Sequence, residues 1–444
     1  MPEKPRFNVT RRALLSSATA SLVAAGLPQW FAAEAAAETL ETRSARKRKL
    51  DQNSQIQAGV IGPGGSGGGF AQGLNDARNL NGHDGAKIIA VCDVDDTHRD
   101  EAAAAFGPGT QKFHDFRDLL ARPEIDAVVI GTPDHWHVLA AIAALRAGKH
   151  VYCEKPLTLF IEQGIKLVQV AKESGKRFQV GSQQRSDARF RLACELVRNG
   201  RIGRISQAVA HLPTGPTGGP FAVQPVRTGL DWNFWLGPTP ATDYVPERCF
   251  GNFRWWLEYS GGMLTDWGAH HNDICQWGLG TEHTGPVKVQ AFGKGPIIGE
   301  ECYSTFPEFD VTSTFADGRT ILSTNKGDNG VTFNGENGQW IFVSRSDIKA
   351  SDPTLLTEPL QSDAIRLYKS DDHMGNFLDC IRDGKETICP AEIGHRSVSI
   401  CHLCNISLRL DGRILNWDPD KQQMVGDKEA QAMTSRPMRH PWTL

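Results

Sequence analysis

Residues 128–156, VVIGTPDHWHVLAAIAALRAGKHVYCEKP, leave this chain little freedom in how it can fold. Residues 128–130 are apolar and bounded by Gly131, the pattern of a short buried strand. The turn Thr132-Pro133-Asp134 follows, with Asp134 placed to cap the next segment. An apolar helix from about His137 to Ala147 then stops at Gly148, a usual residue just past a helix end. A second strand over residues 150–153 delivers Glu154-Lys155-Pro156. Strand, crossover helix and strand make a βαβ unit, in which ligands bind where the strands end. Lys155 therefore stands at a strand's C-terminal edge, a place that serves a ligand or merely solvent.

Upstream, the alternating, β-branched residues 56–61 run into Gly62-Pro63-Gly64-Gly65-Ser66-Gly67, and residues 70–77 have helical character. G-x-G-x-x-G between a strand and a helix suits a dinucleotide. Gly62, Gly64 and Gly67 permit a tight turn, close approach of a pyrophosphate and close helix packing. Residues 87–91 form the next strand and end at Asp93, where an acidic residue hydrogen-bonds an adenine ribose. An acid there repels a 2′-phosphate, so the expected cofactor is NAD, with NADP disfavoured; Asp95 and Asp96 reinforce this.

Composition excludes other classes. The chain has 444 residues, 40% hydrophobic, with a net charge of −3, enough for two domains and without the basic footprint of a nucleic-acid binder. No run reaches the roughly 18–20 apolar residues that span a bilayer. Ten cysteines are too dilute here for a disulfide scaffold. Lys4, Arg6, Arg11 and Arg12 precede a weakly apolar stretch, 13–26, and small residues at Ala33, Ala35 and Ala37. Thr10-Arg11-Arg12-Ala13-Leu14-Leu15 resembles a twin-arginine motif. Residues 1–37 thus read as a removable export signal, 38–55 as a disordered linker, and the mature protein as exported, periplasmic and folded around its cofactor before export.

The second half carries the chemistry. A helix over 166–175 and a strand over 177–180 complete the first domain, 56–181. Gln183, Gln184 and Arg185 leave that strand edge, placed either to reach a nicotinamide carboxamide and substrate hydroxyls or to cap the helix at 187–199. The second domain, 182–444, opens with a strand at 206–211. Residues 211–260 are aperiodic and aromatic (Trp232, Trp235, Tyr244, Trp255, Trp256, Tyr259), suited to stacking on sugars or to pinning a long loop. Asp266, His270 and Asp273 lie at i, i+4 and i+7, one face of a helix. Oxidation of a secondary alcohol needs a base for the hydroxyl proton, a task suited to histidine, and Asp266 can hold its second ring nitrogen. Rival readings are Asp266 as a helix cap and His271 as the site histidine. A metal site is the weakest, because neighbouring histidines diverge. Strands over 287–292, 308–315, 320–324, 331–334 and 339–343 suggest a meandering sheet, open on one face, and helices follow at 373–383 and 392–409. Cys401-x-x-Cys404 lacks the partners of a zinc or haem site and reads as buried helix cysteines.

Together, the glycine turn, Asp93, GTPDHWH at 131–137, AGKHVYCEKP at 147–156 and GGMLTDWGAHHND at 261–273 resemble the Gfo/Idh/MocA oxidoreductases. The resemblance runs from residue 56 to 444 and is strongest for exported members with a WDP…RHPW ending, here Trp417 to Trp442. It implies an α/β fold, an N-terminal Rossmann parallel sheet plus a C-terminal α/β domain with an open, mostly antiparallel sheet that serves homo-oligomerisation. It also implies Thr132, Pro133, His137, Glu154 and Lys155 along the cofactor, with Lys155, Asp266 and His270 catalytic and Gln184, Arg185 and Asp273 toward substrate. The expected function is NAD-dependent hydride transfer to or from a sugar, glycoside or polyol. The alternatives are a redox-neutral lyase or glycosidase working through a transient keto-sugar, and a cofactor-retaining binding protein.

Overall fold

The computed structural model describes residues 11–49, 55–65, 71–296 and 299–444. Gly67 and residues 50–54 lie outside these. Two helices, α1 (Arg11–Ala24) and α2 (Gln29–Lys49), precede the first strand. The expectation of a disordered linker from residue 38 therefore fails as far as Lys49. The reason is local: AAEAAAETL is rich in strong helix formers, and Phe31, Ala32, Ala35 and Ala36 share one face. That face is buried, Phe31 fully, beneath the Arg191 guanidinium 4.7 Å from its ring centre. Trp30 Nε1 donates to the Leu356 carbonyl at 3.0 Å, and Glu38 pairs with Lys369 at 2.7 Å.

The first sheet contains β1 (Ile56–Ile61), β2 (Ala86–Cys92), β3 (Gln111–Phe113), β4 (Ala127–Ile130), β5 (His150–Cys153) and β6 (Phe178–Val180). All pairs are parallel in the order β3-β2-β1-β4-β5-β6, a doubly wound Rossmann sheet. Its connecting helices are α3 (Gln72–Asn81), α4 (Asp96–Phe106), α5 (Phe116–Leu120), α6 (Asp134–Arg146) and α7 (Ile161–Ser174). Strand order reverses between β1 and β4, so the crevice opens there. Gly62, at φ +68°, turns the chain out of β1. A Cβ on Gly73 would lie 2.4 Å from the Gly62 carbonyl oxygen, and one on Gly131 2.4 Å from Gly73 Cα. The close helix approach expected of Gly67 is thus made by Gly73, at the start of α3.

The second domain contains α8 (Ala188–Arg198), β7 (Gln207–His211), α9 (Trp232–Leu236), α10 (Met263–Asp266), α11 (Gly268–Leu279), β8 (Lys288–Lys294), β9 (Glu308–Thr314), β10 (Thr320–Thr324), β11 (Gly330–Asn334), β12 (Trp340–Val343) and β13 (Ile348–Ala350). After them come α12 (Thr354–Thr357), α13 (His373–Asp383), α14 (Ala391–Arg409), β14 (Leu415–Asp418), β15 (Gln423–Met424) and α15 (Lys428–Ala432). The sheet runs β13-β12-β11-β7-β10-β9-β8-β14-β15, with only β7 and β10 parallel. Alternate residues such as Val289, Val311 and Ile321 face α8, α11 and α14 and are buried. The opposite face carries Phe292, 65% exposed.

The C-terminal helices return to the first domain. Met374, Phe377 and Leu378 of α13 join the core beneath Tyr152, and Ile393 and Val398 of α14 join the core of α6 and α7. The tail places Trp442 edge-on to Trp136 at 4.7 Å and stacked on Phe234 at 5.4 Å. Cys401 and Cys404 are buried in α14, as expected. No helix among the described residues is long and apolar enough to cross a membrane.

Candidate active site

Two connected cavities lie over the crevice. One is lined by Gly62, Gly64, Asp93, Thr132 and Pro133 from the Rossmann side and by Phe250 from the second domain. The other, the roomier, holds Glu154, Lys155, Gln184, Asp266 and His270. Gly131, Thr132 and Phe253 line both, so a dinucleotide lying over the glycine turn reaches from one into the other. Asp93 accepts from the Gly64 amide at 3.3 Å and the Asp95 amide at 3.0 Å. Burial pushes its carboxyl up to about 6. The glycine turn and the acid fit an adenosine and pyrophosphate.

The second domain closes over this first cavity. Asp96 N–H donates to Gly229 O at 2.8 Å and Asp231 N–H to Val94 O at 3.0 Å, while Arg227 ion-pairs with Asp95. The aromatics expected to stack on sugars serve this closure instead. Trp232, Trp235, Tyr244, Trp256 and Tyr259 are buried against one another. Of these only Trp235 touches a cavity, the adenosine one. Trp267 and Phe253 are the aromatics in the larger cleft.

Inside that cleft, Lys155 Nζ donates to Asp266 Oδ1 at 2.6 Å and to the Asp266 carbonyl at 3.1 Å. Arg254 Nε donates to the same Oδ1 at 3.1 Å. Burial alone would raise the Asp266 carboxyl, but Lys155 and Arg254 outweigh it and hold it far below the ordinary range. The expected bond between Asp266 and His270 is not made. Trp267, between α10 and α11, keeps helical backbone angles, so the cause is the carboxylate's direction: it is turned onto Lys155 and Arg254. A carboxylate facing two cations has no need of a neutral imidazole. His270 still lines the cleft; its buried Nδ1 lacks a partner among the described residues, and Nε2 stays open. Burial, then Lys155 and Arg345, lower its pKa well below the ordinary value. His271 points the other way, with Nε2 2.7 Å from Asn329 Oδ1. Of the two histidines, His270 is the one in the site.

Other expectations are redistributed. His137 binds backbone, not cofactor: its ring nitrogens lie 2.8 Å from the Pro156 and Thr132 carbonyls, tying the turn after β4 to the segment after β5. Glu154 accepts from Gln183 at 2.8 Å. Burial, and then the nearby Glu154, raise the Asp76 carboxyl well above the usual range. Asp134 does not cap α6; it accepts from Ser260 Oγ at 2.5 Å, and burial raises its carboxyl to about 7. Gln184, 4% exposed, has both amide atoms unpartnered in the cleft. Asp76, Arg254 and Arg345 are cleft residues that the motifs did not signal, and Asp134 lies in a motif that marks it only as a helix cap. Among the described residues, no cluster of three or more His, Cys, Asp or Glu could hold a metal ion.

Arg185 and Asp273 are not free for substrate. They form a two-point ion pair at 2.7 and 2.8 Å, both nearly inaccessible, and Ser397 Oγ donates to Asp273 at 2.6 Å. Asp273→Asn therefore strands a buried guanidinium and should destabilise the fold by about 3–5 kcal/mol, whereas Arg185→Met with Asp273→Leu should be far milder. Thermal unfolding measures both. An Asp273→Asn protein of unchanged Tm but raised KM would return the pair to the substrate.

Residues 56–182 match the Gfo/Idh/MocA profile described as "Oxidoreductase family, NAD-binding Rossmann fold", and residues 217–444 its "C-terminal alpha/beta domain". The chain is similar to the inositol 2-dehydrogenase of Corynebacterium glutamicum, 32% identical over 154 residues. That match covers 34% of this chain and 44% of that enzyme, so the chain spans less than half of this relative's length. Among solved structures it is similar to an aldose-aldose oxidoreductase from Caulobacter crescentus complexed with glycerol. The identity is 18% and the TM-score 0.61, covering 82% of this chain and 99% of that one. It is also similar to the WlbA dehydrogenase from Bordetella pertussis in complex with NADH and UDP-GlcNAcA, 21% identical with TM-score 0.59, covering 82% and 99%. At such identities the likeness shows the fold. Matched in both domains in the order the architecture requires, the chain belongs to the Gfo/Idh/MocA oxidoreductase family and carries its NAD-binding Rossmann fold.

Proposed function

We propose that the chain is an NAD-dependent oxidoreductase that moves a hydride between nicotinamide and a secondary hydroxyl of a sugar, glycoside or polyol. The observation that carries this reading is Lys155, locked onto Asp266, sharing with His270 the cleft that continues the dinucleotide cavity. The family relatives support it, two of them being named for inositol and aldose chemistry. NAD, when bound, supplies the hydride acceptor. Lys155 keeps an ammonium hydrogen beyond its two contacts with Asp266 and holds the substrate oxygen as negative charge develops there. His270 Nε2 takes the hydroxyl proton. Closure of the adenosine cavity by Arg227 and its neighbours supports a dinucleotide that stays bound between turnovers. That feature also suits the redox-neutral alternative, and a spectrum separates the two: reduced nicotinamide accumulates with substrate only if there is net oxidation.

His270→Ala should lower kcat by roughly 10²–10⁴-fold with NAD still bound, and His271→Ala far less. A base must be deprotonated to act, and the pKa of His270 lies below the ordinary value, so kcat should stay level as pH falls from 8 to about 6.5. Loss of turnover in His271→Ala with an active His270→Ala would overturn the assignment of the base.

Export by the twin-arginine route to the periplasm, and homo-oligomerisation through the open face that bears Phe292, belong to the same reading. The Arg11-Arg12 pair supports the first. The burial of Phe31 and the pairing of Glu38 support retention of α2 in the exported protein, rather than removal up to Ala37. Arg11→Lys with Arg12→Lys should leave the protein in the cytoplasm. Intact mass of the exported wild type should include Trp30 and Phe31; unimpaired export of the variant, or a mature N-terminus at Glu38, would refute these points respectively.

A further inference from the structure

Arg345 lies between β12 and β13 and lines the cleft that contains Lys155 and His270. Its guanidinium sits 4.6 Å from the ring centre of Trp267, and it makes no hydrogen bond or ion pair with the described residues. Each acid of the cleft already has a partner. Asp266 takes Lys155 and Arg254, Glu154 takes Asp76 and Gln183, Asp134 takes Ser260, and Asp187 takes Arg189 at 2.6 Å. Lys155 and Arg254 in turn share one carboxylate oxygen of Asp266. Arg345 is therefore the one cation lining the cleft, among the described residues, that no carboxylate holds. Gln184 presents a second unanswered group, an amide 4% exposed with neither its nitrogen nor its oxygen partnered. A buried amide left in that state is destabilising unless a ligand satisfies it.

We propose that the substrate carries an anionic substituent, a carboxylate or a phosphate ester, held by the Arg345 guanidinium, with Gln184 satisfied by the hydroxyls beside it. Guanidinium donates in a fork that matches either oxyanion, and its stack on Trp267 fixes the plane of the fork. This rests on the reading of the cleft as the site of sugar oxidation, and names the class of sugar. The preferred substrates are acid sugars, uronates, aldonates or sugar phosphates, over neutral ones of the same stereochemistry.

The test uses the NAD-loaded protein and matched pairs: glucuronate and glucose, galacturonate and galactose, gluconate and sorbitol, glucose 6-phosphate and glucose. Calorimetry gives affinity, and nicotinamide absorbance separately gives turnover. At least one acid should bind roughly 10–100-fold more tightly than its neutral partner, the worth of a charge-assisted contact. Added salt should erode that ratio, Arg345→Gln should bring it to about one, and Arg345→Lys should keep part of it. Preference for uronates against phosphate identifies which oxyanion the fork receives. The inference is overturned if no acid outbinds its partner, or if the preference survives in Arg345→Gln. Acid binding that depends on Arg345 without reduction of nicotinamide upholds the anion site and refutes oxidation of that sugar. Oxidation of neutral sugars with no dependence on Arg345 does the reverse.

Discussion

The 2.6 Å contact between Lys155 and Asp266 joins the strand edge of one domain to the end of a short helix in the other, and the cleft forms where those elements meet. Taking both charges out of water is costly, so the pair adds little net stability. Its effect is on placement and charge. Asp266 fixes the ammonium by two contacts, one to its carboxylate and one to its backbone, and Arg254 fixes the carboxylate in turn. With Asp266 ionised through the whole working pH range, Lys155 has a fixed counter-charge and a fixed direction. Burial, with Lys155 and Arg345 beside it, keeps His270 neutral and able to accept a proton.

Domain closure over the adenosine cavity works on the same principle of backbone and charge contacts across the crevice. Two backbone hydrogen bonds and the Arg227–Asp95 pair tie the loop before α9 to the residues after β2. The aromatic cluster of Trp232, Trp235, Tyr244, Phe253, Trp256 and Tyr259 stiffens that loop from behind. Dissociation of a dinucleotide from under it requires these contacts to part.

Much of this was readable because it depends on local backbone rules. The parallel sheet follows from the βαβ pattern of 128–156 and the glycine turn at 62–64, and the strands of the second sheet follow from alternation and turns. Spacing in sequence proved a weaker guide to partners. Asp266 and His270 stand four apart, yet Lys155 and Arg254 claim the carboxylate, and Arg185 and Asp273 satisfy each other at a distance of 88 positions. Arg345 and Asp76 carry no motif, since a turn in a distant sheet and a helix interior enter the cleft only through the tertiary fold. The aromatics of 211–260 gave composition without direction, and packing claimed them. The stretch after Arg12 reads as an export leader, and nothing in its composition signals that Phe31 is buried in the core of the second domain.

The central claim is that Lys155 and Asp266 act as one unit rather than as two separate contributors. A double-mutant cycle on kcat, with Lys155→Gln, Asp266→Asn and the pair combined in the NAD-loaded protein, tests it directly. The account predicts that each single change lowers kcat by a similar factor and that the double variant is no slower than the slower single one, because either change already releases the ammonium from its place. Losses that multiply in the double variant would mean that the two residues act independently, and would contradict it.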